Sequence, residues 1–419
     1  MSQLPLIPSM EEDLVHGTVS PEFQRVRNVF EKNFRQGLDT GAAFSVFYRG
    51  KQVVHLWGGH SDSRSKTTWE EDTLCMCWSV TKAITSLCLA KLADEQRIDF
   101  NRPVSFYWPE FAQNGKGHIT VAQLVSHQAG LVAIDGVQFD LNFAKDQTKI
   151  AKALAKQKPL WTPGTCHGYH GVTFGWYVDQ LIRRADEKHR STGQFFREEI
   201  AMPLDLDIHI GLPEKHEQRV AWLDDCSFQG YRHMMLHEPR LFCHLASLSL
   251  NCNSLFCKMQ KTCGSLSGVK PANKKAYREV EQPHVNAMAT ASSLARLINI
   301  LANHGRDSQT GVQVLSPEMT SLVMQPVCRG LEQLYQIRGL FSQFGLGLDI
   351  IKKEGRTIVG HPGFGGQAAY ADPDNQMAWA FLTNRICHYG PVQMDPRYRP
   401  LIDCIYKCVA DINTECSSI

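Results

Sequence analysis

The sequence predicts an α/β fold of the α+β type: an antiparallel sheet built from both chain termini, flanked by helices, with a helical region inserted. Three observations predict it. β-rich runs occur near the start of the chain and return in its last quarter. Segments with helical spacing, punctuated by Pro and Gly, fill most of the span between about Thr73 and Leu212. Amphipathic helical stretches flank the strands at both ends.

Taken in order, residues 22–36 place Phe23, Val26, Val29, Phe30 and Phe34 at helical spacing. From Ala42 to Gly59 two β-rich runs flank Arg49-Gly50-Lys51 and read as a hairpin. A polar loop follows, from Ser61 to Thr68. The stretch 240–283 holds Cys243, Cys252, Cys257 and Cys263 among Ser, Asn and Lys with no clean period, and reads as an irregular insertion. Ala291–Asn303 is helical again. Short strands are expected at Phe344–Ile351, Thr357–His361, Gln367–Asp372 and Met377–Thr383, and a final amphipathic helix from about Arg397 to Ile412. Residues 1–72 and 285–419 would thus form the sheet region and 73–284 the helical region, together one domain.

With 44 basic against 42 acidic side chains, the chain lacks the basic footprint of a nucleic-acid binder. No apolar run reaches the eighteen or so residues of a membrane span. The opening MSQLPLIPSMEEDLVHG has neither a signal-peptide core nor transit-peptide character, so its fourteen Cys read as reduced thiols and a cytoplasmic location is expected.

Ser-x-x-Lys occurs three times, as Ser63–Lys66, Ser79–Lys82 and Ser267–Lys270. An isolated copy is more often a serine cap followed by a solvent-reaching lysine. Context separates the three. Ser63 lies in the hydrophilic SDSRSKTT loop and Ser267 in the Gly/Ser-rich insertion, whereas Ser79 opens SVTKAITSLCLAKLA, apolar around most of its circumference. Residues three apart share a helix face, so Lys82 can reach the Ser79 hydroxyl. Burial lowers a lysine's pKa and frees its amine to accept a proton. The helix N-terminus favours a developing oxyanion.

Two further stretches stand out. Trp161-Thr-Pro-Gly-Thr-Cys-His-Gly-Tyr-His-Gly places Tyr169 on a loop feeding a helix, where an ordinary half-buried tyrosine is the plainer reading. Gly360-His-Pro-Gly-Phe-Gly-Gly lies between strand-like runs, where its glycines allow close approach of backbone to a ligand. It is neither a P-loop nor a dinucleotide fingerprint.

Together, in this order and context, these motifs resemble the serine β-lactamase and penicillin-binding-protein superfamily, and more closely its class C β-lactamase-like esterases. Supporting stretches include ITVAQLVSHQAGL, FFREEIAMPLDLD and VGHPGFGGQAAYADPDNQMAWAFLTN, and the resemblance spans roughly residues 22–410. It implies a β-lactamase/transpeptidase-like fold and a serine hydrolase. Ser79 would be the nucleophile, Lys82 its activating partner, and Tyr169 a general base in acylation and acid for the leaving group. His361 would stand where the family carries a strand lysine. Gly363 and Phe364 would line the substrate site, with the Ser79 and Phe364 N–H groups as oxyanion hole. The asparagine expected two residues after Tyr169 is Gly171, and the strand lysine is a histidine. Both departures weaken recognition of a β-lactam and leave the acyl-transfer groups intact. A small-molecule ester, lactone or amide substrate is therefore expected, without cofactor or metal, and a homo-oligomer is compatible with it.

The alternatives are a β-lactamase or D-amino-acid peptidase of the same superfamily, or a non-catalytic scaffold on the same fold. Metal hydrolysis is disfavoured, because His233, His237 and His244 near Cys243, and His167-x-x-His170, lack the His-Glu-x-x-His type of ligand spacing. No Gly-x-Ser-x-Gly elbow supports an α/β-hydrolase.

Overall fold

The computed structural model describes residues 14–226, 231–232, 235–236, 239–342, 345, 357–387 and 395–417. The chain's two ends meet in one antiparallel sheet. Its strands are β1 (Val15–Val19), β2 (Gly41–Tyr48), β3 (Lys51–Asp62) and β4 (Thr67–Thr68) from the N-terminal side, with β10 (Val359–Pro362), β11 (Ala368–Asp372) and β12 (Met377–Thr383) from the C-terminal side. Their order is β1-β3-β2-β12-β11-β10, with β4 paired to β3. The seam between the two halves is β2–β12, in register from Ala42↔Thr383 to Tyr48↔Met377.

Residue size alternates along β12 with the period-two geometry of a strand. Trp379 and Phe381 point into a core shared with the outer helices α1 (Arg25–Arg35) and α7 (Arg399–Ser417). Ala378, Ala380 and Leu382 point into the main core with the inner helix α6 (Ala291–Ala302). Ala378 and Ala380 let α6 lie close to the sheet, while Trp379 and Phe381 fill the wider gap beneath α1 and α7. Burying Trp379 or Phe381 contributes about 1.5–3 kcal/mol each.

The helical region contains α2 (Thr81–Asp94), which is buried along nearly its whole length, and α3 (Phe174–Ala185). It is not wholly helical: β5 (Cys75–Met76) and β6 (Ile208–Ile210) flank β7 (Ala287–Ala289) in a second small sheet. These strands are too short to display alternation.

One sequence expectation changes. The 240–283 stretch is not irregular. It carries α4 (Pro239–Leu250) and α5 (Leu255–Cys263), with shorter turns at Val269–Ala272 and Lys275–Glu279. Ser254 caps α5, its hydroxyl accepting the Cys257 N–H at 2.9 Å. A hairpin that the sequence did not announce, β8 (Pro326–Leu331) with β9 (Arg338–Ser342), precedes the C-terminal strands. The strand expected at Phe344–Ile351 lies outside the described residues, apart from Gly345.

Candidate active site

The site lies where α2 begins, between the helical region and the sheet edge at β10. Ser79 sits in a 3₁₀ turn, Trp78–Val80, which runs directly into α2. Trp78 has φ +47°, an uncommon conformation for a bulky side chain and one that persists where packing over-determines it. Here Trp78 is 4% exposed, and its ring meets Phe364 edge-on at 5.2 Å. The adjacent Ser79 remains half-buried, open to the cavity.

Lys82 follows one turn later and is fully buried. Its Nζ donates to Ser79 Oγ at 3.2 Å and to the His284 carbonyl at 2.8 Å. The segment before β7 fixes this face of the helix: Thr85 Oγ1 donates to the Pro283 carbonyl at 2.5 Å, and Thr81 Oγ1 accepts the Ala287 N–H at 3.0 Å. Burial drives the Lys82 pKa well below the usual lysine range.

Tyr169 brings its ring beside the lysine, with Lys82 Nζ 5.0 Å from the ring centroid. Its buried hydroxyl has no partner at hydrogen-bond geometry among the described residues. Burial raises its pKa, the neighbouring Tyr335 adds to that, and the Ser79 hydroxyl works in the opposite direction. Behind it, His127 and His170 form a buried imidazole pair with Nδ1 atoms 3.2 Å apart, and His170 Nε2 accepts the Leu131 N–H at 3.0 Å. Burial pushes His170 down to about 3 and His127 below its usual range. These rings therefore pack as neutral supports of Tyr169. Of the other histidines weighed as ligands, His244 Nε2 pairs with the Tyr335 carbonyl at 2.8 Å, while His233 and His237 lie outside the described residues.

The third component is the turn after β10. His361 lies 5.7 Å from Tyr169 between ring centroids, and its Nδ1 pairs with the Pro362 carbonyl at 2.5 Å. Burial, and then the Lys82 charge, push its pKa down to about 3. Gly363 donates its N–H to the Gln367 carbonyl at 2.7 Å, so it shapes the turn rather than offering a donor to an oxyanion. A Cβ there would stand 2.6 Å from the Cys77 carbonyl, which explains why the turn needs glycine to approach the Ser79 segment. From behind, the fully buried Arg397 donates to the Gly365 carbonyl at 2.6 Å and pairs with Asp395 at 2.6 Å. Neither Arg397 nor the support it gives this turn is announced by any motif.

Ser79, Tyr169, Gly171, His361, Gly363 and Phe364 all line one cavity of about 440 Å³. The supposedly irregular insertion supplies part of its wall, through Leu245, Phe256, Met259 and Leu266. For the other two Ser-x-x-Lys copies no serine–lysine hydrogen bond is present among the described residues. Ser63 is exposed and donates to Asp224 at 2.8 Å. Ser267 reaches the rim of the cavity, but both it and Lys270 are exposed. Sequence reading missed His284, Glu332 and Trp78. His284 and Glu332 act through backbone or buried contacts that no short motif encodes.

A sheet from both termini, a helical region, and a helix-start serine at their junction define a serine hydrolase of the β-lactamase/transpeptidase fold. The chain belongs to the beta-lactamase family, whose profile matches residues 30–399. It is 31% identical over 381 residues to the esterase/beta-lactamase LipL of Mycobacterium tuberculosis, spanning 89% of this chain and 83% of that relative. Among solved structures, a family VIII carboxylesterase superposes with a TM-score of 0.83 at 31% identity, covering 94% of this chain and 99% of the other. A penicillin-binding protein homologue from Caulobacter crescentus gives 0.78 at 30% identity, over 94% and 99% of the two chains. Among the described residues, no helix is long and apolar enough to cross a membrane.

Proposed function

We propose that the chain hydrolyses carboxylic esters or lactones through an acyl-enzyme on Ser79. The observation that carries this reading is the Lys82–Ser79 contact: a buried amine 3.2 Å from the hydroxyl, its other partner a neutral carbonyl. The depressed pKa of such an amine supports its acting as the base, taking the Ser79 proton as Oγ attacks the ester carbonyl. The Ser79 and Phe364 N–H groups would receive the oxyanion. A phenol with a raised pKa keeps its proton and suits the acid, so Tyr169 gives that proton to the departing alkoxide and regains one from Lys82. Water then attacks the acyl-enzyme by the reverse proton route.

The cavity favours a neutral, apolar ester. Its wall is mostly aromatic and aliphatic, and its size falls in the range of about 300–1,000 Å³ that holds a small organic ligand. A neutral His361 gives a substrate carboxylate no counter-charge at the position of the family's lysine. Arg338 also lines the cavity but is exposed, so its charge is screened by solvent, which sets β-lactams and D-amino-acid peptides behind esters as substrates. A cytoplasmic setting suits the cysteine-rich sequence.

The test is hydrolysis of p-nitrophenyl butyrate by the parent and by Ser79→Ala. Activity should depend wholly on Ser79, and a fully active Ser79→Ala would remove the mechanism.

A further inference from the structure

Glu332 is a buried carboxylate, 2% exposed, in the loop that joins β8 to β9. It is met by peptide N–H groups: Oε2 accepts from Tyr169 at 2.9 Å and from Leu334 at 3.1 Å, and Oε1 accepts from Tyr335. The next residue adds a second tie, as the Gln333 N–H donates to the His167 carbonyl at 2.9 Å. Two successive hairpin residues thus grip the Tyr169 loop on either side of Gly168. Above them the Tyr335 ring stacks on Tyr169 at 6.2 Å, and Phe341 stacks on it at 6.2 Å with planes 5° apart.

We propose that Glu332 is a positioning residue for the Ser79 reaction, its carboxylate fixing the Tyr169 backbone so that the phenol is aimed at the leaving-group oxygen. The inference rests on the acyl-transfer reading above and adds a residue to it. A carboxylate suits this place because both oxygens accept. The amide of a glutamine has a single acceptor oxygen, so at least one of the three N–H groups would face an NH₂. Its negative charge also disfavours a neighbouring phenolate, which helps Tyr169 retain the proton it donates.

The experiment compares two butyrate esters that differ only in leaving group. p-Nitrophenolate departs without a proton, whereas ethoxide needs one. Glu332→Gln should lower kcat/KM for ethyl butyrate roughly ten-fold more than for p-nitrophenyl butyrate, through kcat rather than KM. Tyr169→Phe should bias the two esters in the same direction. Adding Glu332→Gln to Tyr169→Phe should change the ratio no further, because the two act as one unit. Fluorophosphonate labelling of Ser79 needs no acid for its leaving group. It should be retained in Glu332→Gln and so reports an intact fold there. Equal losses on both esters with labelling retained would make Glu332 merely structural and overturn the proposal. If Tyr169→Phe leaves the ratio unchanged, the acid role of Tyr169 fails, and Glu332's role falls with it. Should Glu332→Gln lose labelling, Glu332→Asp decides. It keeps the charge but withdraws the carboxylate by one methylene, so the ratio should shift in the same direction by a smaller factor, and an unchanged ratio would refute the proposal.

Discussion

Lys82 Nζ stands 3.2 Å from Ser79 Oγ, and the second atom it meets, the His284 carbonyl oxygen at 2.8 Å, carries no formal charge. A lysine so placed has lost its hydration without gaining an anion beside it. Burial therefore governs its ionisation, and the neutral amine is the form the folded chain favours.

This has a thermodynamic signature. Between the lowered Lys82 pKa and the ordinary value of 10.5, the unfolded chain binds one more proton than the folded chain. Stability should therefore rise with pH across that window, by at most about 1.4 kcal/mol per pH unit from this residue. Thermal melts of parent and Lys82→Met across that range should diverge, the parent gaining relative to the variant as pH rises. A difference that does not change with pH would contradict a buried, depressed lysine.

Restoring the family asparagine beside Tyr169 should cost activity. A Cβ at Gly171 would lie 3.1 Å from Tyr169 Cε1 and 3.3 Å from Met259 Sδ, so any larger side chain presses on the phenol ring. Gly171→Asn should lower ethyl butyrate turnover roughly ten-fold or more, as expected when a general acid is displaced. Unchanged turnover in a folded variant would show that the ring has room to yield.

His361 bears on substrate charge. With its pKa pushed down to about 3, the imidazole is neutral throughout the physiological range. The parent should therefore prefer p-nitrophenyl butyrate to nitrocefin in kcat/KM by roughly one to two orders of magnitude, the worth of a missing charge-assisted hydrogen bond. A parent that favours nitrocefin would overturn the ester assignment.

The β-rich ends of the chain were legible because β2, β11 and β12 are long or regular enough to show their pattern, and Met377–Thr383 matches its expected bounds. The gathering of Ser79, Lys82, Tyr169 and His361 in one place was legible from motifs, since local chemistry at fixed spacing is what a motif records. The 240–283 helices were not, because their turns are short and broken by Ser and Asn at caps such as Ser254. Glu332 was not either, for its three partners are backbone groups, which carry no side-chain signature in the sequence.

The same helices shape the cavity. Phe256 of α5 lines it and packs against Tyr335 with ring centroids 5.5 Å apart. Each acyl methylene buried there is worth about 0.8 kcal/mol, or roughly four-fold in kcat/KM. The parent should gain along a series of p-nitrophenyl esters from acetate until the cavity fills, and Phe256→Ala should move that limit to longer chains. A profile identical in parent and variant would exclude the α5 wall from substrate contact.

The central claim is that Ser79 becomes acylated. Peptide mapping by mass spectrometry after fluorophosphonate treatment tests it most directly, with Ser63→Ala, Ser79→Ala and Ser267→Ala compared side by side. The expected result is one adduct on Ser79, lost in Ser79→Ala and unaffected in the other two. An adduct on Ser63 or Ser267, or undiminished labelling of Ser79→Ala, would contradict the account.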